Sequence, residues 1–270
     1  MKKIILPIIV LLIVGIAAGI VFYSVNTEEK KIKIKDIAVE KKTTTQSSVY
    51  SKPSIKKPDK KLLLEGVVIG IDAGHQLYGN NEQEKVSPDS SATKPKVTSG
   101  TSGISTGTGE HELNLIIAKK LKNRLTKKGA EVYMTREKAA VDISNMERAE
   151  MMNEIGADLV IRIHANGGDS SLKGAMMLVP TENTYGIEEE SMKAGKIIFN
   201  EFLKATNAND LGIIERSNLT GFNWSKVPVC LIEMGYMSNP EEDKLLETND
   251  YRNKVAKGLS DGIEKWWTER

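Results

Sequence analysis

Histidine and carboxylate side chains at the ends of apolar runs carry the chemistry that this sequence can offer. His75 and His164 each follow such a run, and Glu233 ends another. Two neutral imidazoles and one carboxylate form a common catalytic zinc site that leaves one position open for water. Bound zinc lowers the pKa of that water to about 7, and a nearby free carboxylate can pass its proton to a leaving amine. The residue types therefore predict a hydrolase that uses one zinc ion.

We interpret His75, Glu110 and His164 as the zinc ligands and Glu233 as the general base and acid. Glu233 follows four apolar residues, where an ionisable side chain is costly unless it is paired or functional. Glu110 opens a predicted helix, where the helix dipole alone would favour a carboxylate, and Glu112 competes with it on the same ground. A histidine at a strand end is also often structural, so the spacing alone leaves these alternatives open.

Four neighbours of these residues have expected roles. Gly74 should let the backbone turn sharply before His75. His111 should lie on the helix surface, and Asn114 either forms a hydrogen bond beside the ligands or is polar surface. Arg148 either forms a structural ion pair, which we favour, or contacts an anionic substrate.

Apolar runs that alternate with amphipathic segments must position these groups. The runs predict strands at 66–71, 132–135, 159–164, 175–179 and 229–234, and helices from 110 to 128, 144 to 154, 187 to 205 and 245 to 267. This order predicts an α/β fold: a single domain with a twisted, mostly parallel sheet flanked by helices on both faces. Ligands bind beyond the carboxyl ends of such strands, so the candidate residues should share one edge of the sheet.

Composition narrows the alternatives further. The net charge of +2 implies no nucleic acid or other polyanion as a partner. Cys230 is the single cysteine, which excludes an intramolecular disulfide and a cysteine-based zinc site. Any metal site must therefore use histidines and carboxylates.

The N-terminal segment has the pattern of a membrane anchor. Lys2 and Lys3 precede an uncharged apolar stretch at 4–23, which is long enough to cross a bilayer with a cytoplasmic N-terminus. We expect 1–26 to be an uncleaved single-pass anchor in the cell membrane, with the catalytic domain on the extracytoplasmic side. The alternative is a signal that is cleaved near 17–19, followed by secretion. Residues 27–61 have the composition of a flexible linker, and 62–270 are expected to form the catalytic domain.

Six segments resemble the zinc-dependent N-acetylmuramoyl-L-alanine amidases of the type-3 amidase family. They are IGIDAGH at 69–75, EHELNL at 110–115, MTR at 134–136, ERA at 147–149, ADLVIRIHAN at 157–166 and PVCLIEMGYMSNP at 228–240. They follow the order of the family and cover nearly all of the chain from about Val67. The resemblance implies hydrolysis of the amide between the lactyl group of N-acetylmuramic acid and the L-alanine of the peptidoglycan stem peptide. It also implies His75, Glu110 rather than Glu112, and His164 as zinc ligands, with Glu233 as the catalytic carboxylate.

Two departures from the family pattern stand beside the predicted site. Ala73 occupies a position where the family usually has proline, a change that should be mild. The segment at 76–109, rich in Ser, Thr, Gly and Pro, is longer than in the family. We expect a lid, a substrate-selecting loop or a docking site for an activator protein, and a solvated disordered loop is the alternative. An anchored amidase without a visible wall-binding module also resembles enzymes that process spore cortex.

Three rival functions differ in the features that they require. A zinc peptidase that cuts cross-links is disfavoured because the sequence lacks His-Glu-x-x-His. A catalytically silent peptidoglycan-binding module would lack one of the four site residues, and all four are present. An enzyme that needs a partner to order the 76–109 segment has the same sequence features as a constitutively active one.

Overall fold

The computed structural model describes residues 62–270. The predicted anchor at 1–26 and the predicted linker at 27–61 lie outside the described residues. Within 62–270, no helix combines the length and the apolar character needed to cross a bilayer.

Strands and helices alternate along most of the described chain. The strands are β1 (Val68–Ala73), β2 (Asn80–Lys85), β3 (Thr93–Val97), β4 (Glu131–Met134), β5 (Leu159–Asn166), β6 (Ala175–Pro180), β7 (Asp210–Arg216) and β8 (Val229–Tyr236). The helices are α1 (Glu110–Lys127), α2 (Asn145–Glu154), α3 (Glu188–Thr206), α4 (Thr220–Asn223), α5 (Pro240–Glu247) and α6 (Asn249–Thr268).

A six-stranded sheet in the order β4-β1-β5-β8-β6-β7 forms the centre of the domain. The first four of these strands run parallel, β6 lies antiparallel to β8, and β7 runs parallel to β6. The register places His164 of β5 directly beside Glu233 of β8. The sheet is therefore mostly parallel, as predicted, and its central strands carry two of the candidate residues.

Apolar side chains cover both faces of the sheet. On one face, residues such as Ile161 and Ile163 pack with helices α1, α3 and α6, and on the other, Val160 packs with side chains of α2 and α4. Successive residues of a strand point to opposite faces, so this alternation shows that β5 is buried on both sides. The predicted α/β class, with helices on both faces, is confirmed.

Local sequence signals explain the ends of the helices that approach the site. The Ser144 hydroxyl accepts a hydrogen bond from the Glu147 amide, and the Glu147 carboxylate accepts one from the Ser144 amide, which together form a capping box at the start of α2. Gly129, with φ of 101°, follows the end of α1. Both boundaries agree with the sequence-based prediction.

The segment at 76–109 is folded, which differs from the disordered loop that its composition also allowed. Strands β2 and β3 pair in an antiparallel hairpin. The rest of the domain bonds to it: the Glu84 carboxylate accepts from the Met146 amide, Asn145 donates to the Lys96 carbonyl, and Trp224 donates to the Lys85 carbonyl. These contacts satisfy polar groups of the hairpin. They depend on tertiary packing, which hydrophobic periodicity in the sequence does not predict.

Candidate metal and catalytic site

Two histidines and one glutamate converge at the carboxyl edge of the sheet. Ligand atoms of His75, Glu110 and His164 all lie within 4.8 Å of one another. The Nε2 atom of His75 is 3.1 Å from Oε2 of Glu110, and the Nδ1 atom of His164 is 3.1 Å from Oε1 of the same carboxylate. The two imidazole rings meet edge to face, with centroids 4.7 Å apart. The structure thus brings together the three residues predicted as ligands, whereas Glu112 is exposed.

The topology explains this convergence. His75 follows β1, His164 lies near the end of β5, and these strands are parallel neighbours in the sheet. Glu110 is the first residue of α1, which packs across β1 and β5 and returns its amino end to the same edge. Parallel strands present their carboxyl ends at one edge, so residues far apart in sequence become neighbours.

The backbone at His75 differs from the predicted turn. His75 itself adopts the left-handed conformation, with φ of 60°, whereas Gly74 does not have a positive φ. Glycine is needed at 74 for a different reason, because a Cβ atom there would collide with the His164 imidazole. A non-glycine residue with positive φ is uncommon and is favoured at functional sites that hold it in place.

Two buried arginines hold the backbone around His75. The Arg136 guanidinium donates to the carbonyls of Ala73 and Gly74 at 2.8 and 3.0 Å. The Arg148 guanidinium donates to the carbonyls of Ala73 and His75, both at 3.0 Å. These bonds satisfy the carbonyls of a segment that has left the sheet, and they fix the direction of the His75 side chain.

Asp72 connects this segment to its neighbours through buried ion pairs. Its carboxylate lies 2.8 Å from Arg148 and 2.7 Å from Arg162, and it accepts a hydrogen bond from the Thr135 hydroxyl. Burial alone would raise the pKa of Asp72, but the two guanidinium groups and the hydroxyl outweigh it and hold the pKa well below its ordinary value. Arg148 therefore forms the structural ion pair that we favoured.

Hydrogen bonds on the outer side of the cluster orient the candidate ligands. The Nδ1–H of His75 donates to the Thr98 carbonyl at 2.9 Å, which leaves the Nε2 atom on the side of Glu110. The Glu110 carboxylate accepts from the amides of Thr101 and Ala165 at 3.0 and 3.2 Å. Metal-binding histidines usually donate their second nitrogen in this way. The segment at 76–109 therefore supplies part of the support for the site.

Asn114 and His111 lie in the first turns of α1, and their surroundings differ from a plain helix surface. The Asn114 amide donates to Glu110 at 3.2 Å and to the Gly74 carbonyl at 3.3 Å, and the side chain is fully buried. His111 is buried as well, so its predicted surface position is wrong. The cause is local packing, because its ring lies over Gly109 and its carbonyl accepts from Arg136.

The protonation of the cluster suits a cation. Burial would raise the pKa of Glu110, but its contacts with His164 and His75 outweigh this and lower the pKa, so the carboxylate is ionised at neutral pH. Burial lowers the pKa of His164 below its ordinary value, which favours the neutral imidazole that a metal requires. Ligand atoms of a tetrahedral zinc ion lie roughly 3.3 Å apart, given bonds of about 2.0–2.1 Å. The two histidines approach different oxygens of Glu110 at 3.1 Å, and all three donor groups lie within 4.8 Å of one another, so they are close enough to share one ion.

Glu233 lies beside this cluster on β8 and has a different environment. Its Oε2 atom is buried without a hydrogen-bond partner among the described residues. Burial, together with the nearby charge of Glu110, raises its pKa well above the ordinary value. A raised pKa makes the carboxylate a better proton acceptor, which is the property that a general base requires.

A cavity of about 260 Å³ opens in front of the cluster. His75 and His164 form one wall, and residues of β3, β5 and α4 form the others, including Lys94, Arg162 and Gly221. The sequence analysis did not select Lys94 or Arg162. Arg162 did carry a signal, because it is an ionisable residue inside an apolar strand, as Glu233 is.

This arrangement of two imidazoles, a ligand carboxylate and a second carboxylate with raised pKa is the one that metal-dependent hydrolases use. Residues 69–265 match the family model described as N-acetylmuramoyl-L-alanine amidase. The chain belongs to this family of peptidoglycan hydrolases. Membership confirms the predicted amidase class and peptidoglycan as the substrate.

Individual relatives agree with this assignment. An N-acetylmuramoyl-L-alanine amidase of Mycobacterium tuberculosis is 28% identical over 215 residues, which are 74% of this chain and 86% of the relative. A germination-specific N-acetylmuramoyl-L-alanine amidase of Bacillus subtilis is 29% identical over 231 residues, or 77% and 83% of the two chains. The crystal structure of the amidase Ami1 from Mycobacterium smegmatis matches with a TM-score of 0.71 at 24% identity, over 77% of this chain and 99% of that one. The last comparison shows a shared fold.

Proposed function

We propose that this protein hydrolyses the amide bond between N-acetylmuramic acid and L-alanine with one zinc ion held by His75, Glu110 and His164. The observation that carries the proposal is the convergence of these three donor groups beside a cavity and a second carboxylate. Zinc, when bound, polarises the scissile carbonyl and makes hydroxide available at neutral pH. The side chains of the domain supply the proton transfers and the orientation.

Glu233 acts as the general base and then as the general acid. It accepts the proton of the attacking water as the oxygen adds to the lactyl carbonyl carbon. It then delivers that proton to the nitrogen of L-alanine as the carbon–nitrogen bond breaks, which releases the stem peptide as an amine. The unpartnered Oε2 atom and the raised pKa of Glu233 support this role.

Purified peptidoglycan provides the direct test. The full chain in detergent is incubated with peptidoglycan, with and without added zinc, and mass spectrometry detects peptides that begin with a free L-alanine. We expect release that needs zinc and that is lost in Glu110→Gln. Glu112→Gln changes an exposed carboxylate in the same helical turn and is expected to retain full release.

Two results would contradict the proposal. A protein that binds no zinc would rule out the assigned metal site. Zinc-bound protein that releases no peptide would favour the alternative of a partner-dependent or catalytically silent peptidoglycan-binding module.

We also propose that the catalytic domain acts outside the cytoplasm, held at the cell membrane by residues 1–26. The basic start and the uncharged stretch at 4–23 support this topology. In untreated cells the domain should then be found in the membrane fraction, and protease added to intact cells whose wall has been removed should degrade it. Recovery of a shortened chain in the medium would instead show the alternative, secretion after cleavage.

The 76–109 segment is the proposed docking site for an activator protein, because it contacts both His75 and Glu110.

The physiological substrate that we propose is spore cortex, supported by the likeness to the germination-specific amidase. Rates on isolated cortex and on vegetative peptidoglycan would test this, and equal rates would remove the support for a spore-specific role.

A further inference from the structure

One wall of the cavity carries positive charge from two separate elements. Lys94 lies on β3 of the hairpin and Arg162 lies on β5, and both line the cavity together with His75 and His164. Neither residue belongs to the candidate metal cluster. Their charges therefore face the cavity beside the candidate metal cluster.

The charge of Arg162 is only partly compensated. Arg162 bonds to Asp72 at 2.7 Å, but Asp72 also pairs with Arg148, so one carboxylate serves two guanidinium groups. The remaining contact of Arg162 is neutral, because its second nitrogen donates to the Asn145 side chain at 3.0 Å. This part of the wall is left with a net positive charge.

Lys94 has no ion pair within the described part of the chain. Its ammonium group donates to the Asn218 carbonyl at 3.2 Å and is about half-buried. Its cross-strand neighbour Glu84 instead accepts from the Met146 amide. Burial and the nearby Arg162 lower the pKa of Lys94, and the Glu84 carboxylate, which forms no direct ion pair with it, opposes this only in part. A half-buried ammonium group without a directly paired carboxylate is costly, and an anion in the cavity would reduce that cost.

The chemistry of peptidoglycan limits what that anion is. The glycan strand is uncharged once the lactyl carboxyl group is joined to L-alanine, whereas the stem peptide carries free carboxylates. A cation beside the reacting centre therefore distinguishes the peptide side of the scissile bond from the glycan side. Apolar residues of the same cavity, Pro95, Leu219 and Leu231, can contact the aliphatic parts of a peptide.

We propose that Lys94, supported by Arg162, binds a carboxylate of the stem peptide, so that the β2–β3 hairpin selects the substrate. The proposal rests on the proposed function, because it names the substrate group that the same site recognises. It gives the 76–109 segment a defined role in binding, in addition to its contacts with His75 and Glu110.

A pair of substrates that differ in one charge tests the proposal. Both are soluble muramyl peptides; one has a free α-carboxylate on the residue after L-alanine, and the other has a carboxamide there. The ratio of their kcat/KM values is measured with the full chain in detergent. We expect the parent protein to favour the carboxylate by about 10- to 100-fold, the range for a hydrogen bond to a charged group. Lys94→Gln should bring this ratio close to one.

Two control variants keep the result interpretable. Lys96→Gln removes a lysine from the same strand that pairs with Glu82 and does not line the cavity, so its ratio should equal that of the parent. Lys94→Arg keeps the charge and should keep most of the ratio. A parent ratio near one, or a ratio in Lys94→Gln that equals the parent's, would overturn the proposal.

Binding separates this proposal from the proposed function. The dissociation constants of the same two ligands are measured with Glu233→Gln and with Glu233→Gln/Lys94→Gln. A preference for the carboxylate that depends on Lys94 supports the binding site even if the parent hydrolyses neither substrate. Equal binding of the two ligands would overturn the binding site even if hydrolysis is observed.

Discussion

At the scale of single residues, the environment of Glu233 predicts a specific effect of its replacement on the rate of peptide release. Glu233→Gln keeps the shape of the side chain but cannot accept and return a proton. General acid–base groups typically contribute about 100- to 10,000-fold to a rate, so we expect a loss of that size in peptide release. The zinc content should not change, because Glu233 lies beside the predicted ligands rather than among them. Initial rates and metal analysis of the purified variant measure both.

Glu241→Gln is the matched control for Glu233. Glu241 is an exposed carboxylate at the start of α5, and its replacement should leave the rate within about twofold of the parent, as for most surface substitutions. A Glu233→Gln variant with near-parent activity would remove the assigned acid–base role.

Gly74 offers a second residue-scale prediction, because its role is steric. A Cβ atom at 74 would collide with the His164 ring, so Gly74→Ala should displace a predicted ligand and weaken zinc affinity by about tenfold or more. Competition with a zinc-sensitive dye measures this. Gly70 lies in the preceding strand, β1, and Gly70→Ala crowds the flexible Met152 side chain instead. Gly70→Ala should lower thermal stability but not zinc affinity. Equal zinc affinities for the parent, Gly74→Ala and Gly70→Ala would contradict the steric explanation.

The sequence predicted the site well where residue type and strand position agree. His75, His164 and Glu233 stand out because polar groups end apolar runs. Thr98 and Thr101 could not be found in this way, because they act through backbone atoms that any residue type offers. His111 was misplaced because burial beneath neighbouring segments depends on tertiary packing that helical periodicity does not encode.

At the scale of elements, the residues that directly follow β3 of the hairpin support the metal cluster, and the hairpin tip does not. Excision of residues 84–102 removes the Thr98 carbonyl and the Thr101 amide, so we expect zinc affinity to fall by about 10- to 100-fold. Replacement of 87–91 by Asn-Gly should retain the affinity, because Val86 and Ala92 already pair at the base of the tip. Calorimetric zinc titration compares the two deletions. Equal affinities would show that the hairpin does not support the ligands.

Elements were predicted correctly where their own residues carry the signal. The Ser144 capping box fixes the start of α2, and apolar runs mark β1, β5 and β8. The edge strand β7 was not predicted, because it is largely exposed and contains charged residues and Gly212. The polar strand β2 was missed for a similar reason, since its pairing with β3 and its contacts with the domain define it.

At the scale of the whole molecule, the Asp72 ion pairs join β1, α2 and β5. Asp72→Asn would leave the buried guanidinium groups of Arg148 and Arg162 without a carboxylate. Loss of one partner of a buried pair typically costs about 3–5 kcal/mol, so we expect the free energy of unfolding to fall by that amount at neutral pH. Urea titration followed by circular dichroism, with a chelator present, measures the change. Asp250→Asn alters an exposed residue of α6 and should have little effect.

Lowering the pH should weaken the same ion pairs, because it protonates Asp72. The pKa of Asp72 is lower in the folded protein than the unfolded value of about 3.9, so its stabilising effect is complete above that pH and is lost as pH falls. The free energy of unfolding of the parent should therefore decline below about pH 5, and more steeply than that of Asp72→Asn. Parallel pH dependences would show that the pKa of Asp72 changes little on folding.

The left-handed backbone at His75 has a consequence for attempts to engineer this protein. Such a conformation costs a residue with a side chain roughly 1–2 kcal/mol, and glycine or asparagine adopts it more readily. Selection for thermal resistance of the metal-free domain would thus favour replacing His75, and variants chosen in that way would lose a predicted ligand. Libraries screened with zinc present and with peptide release as the readout would retain it.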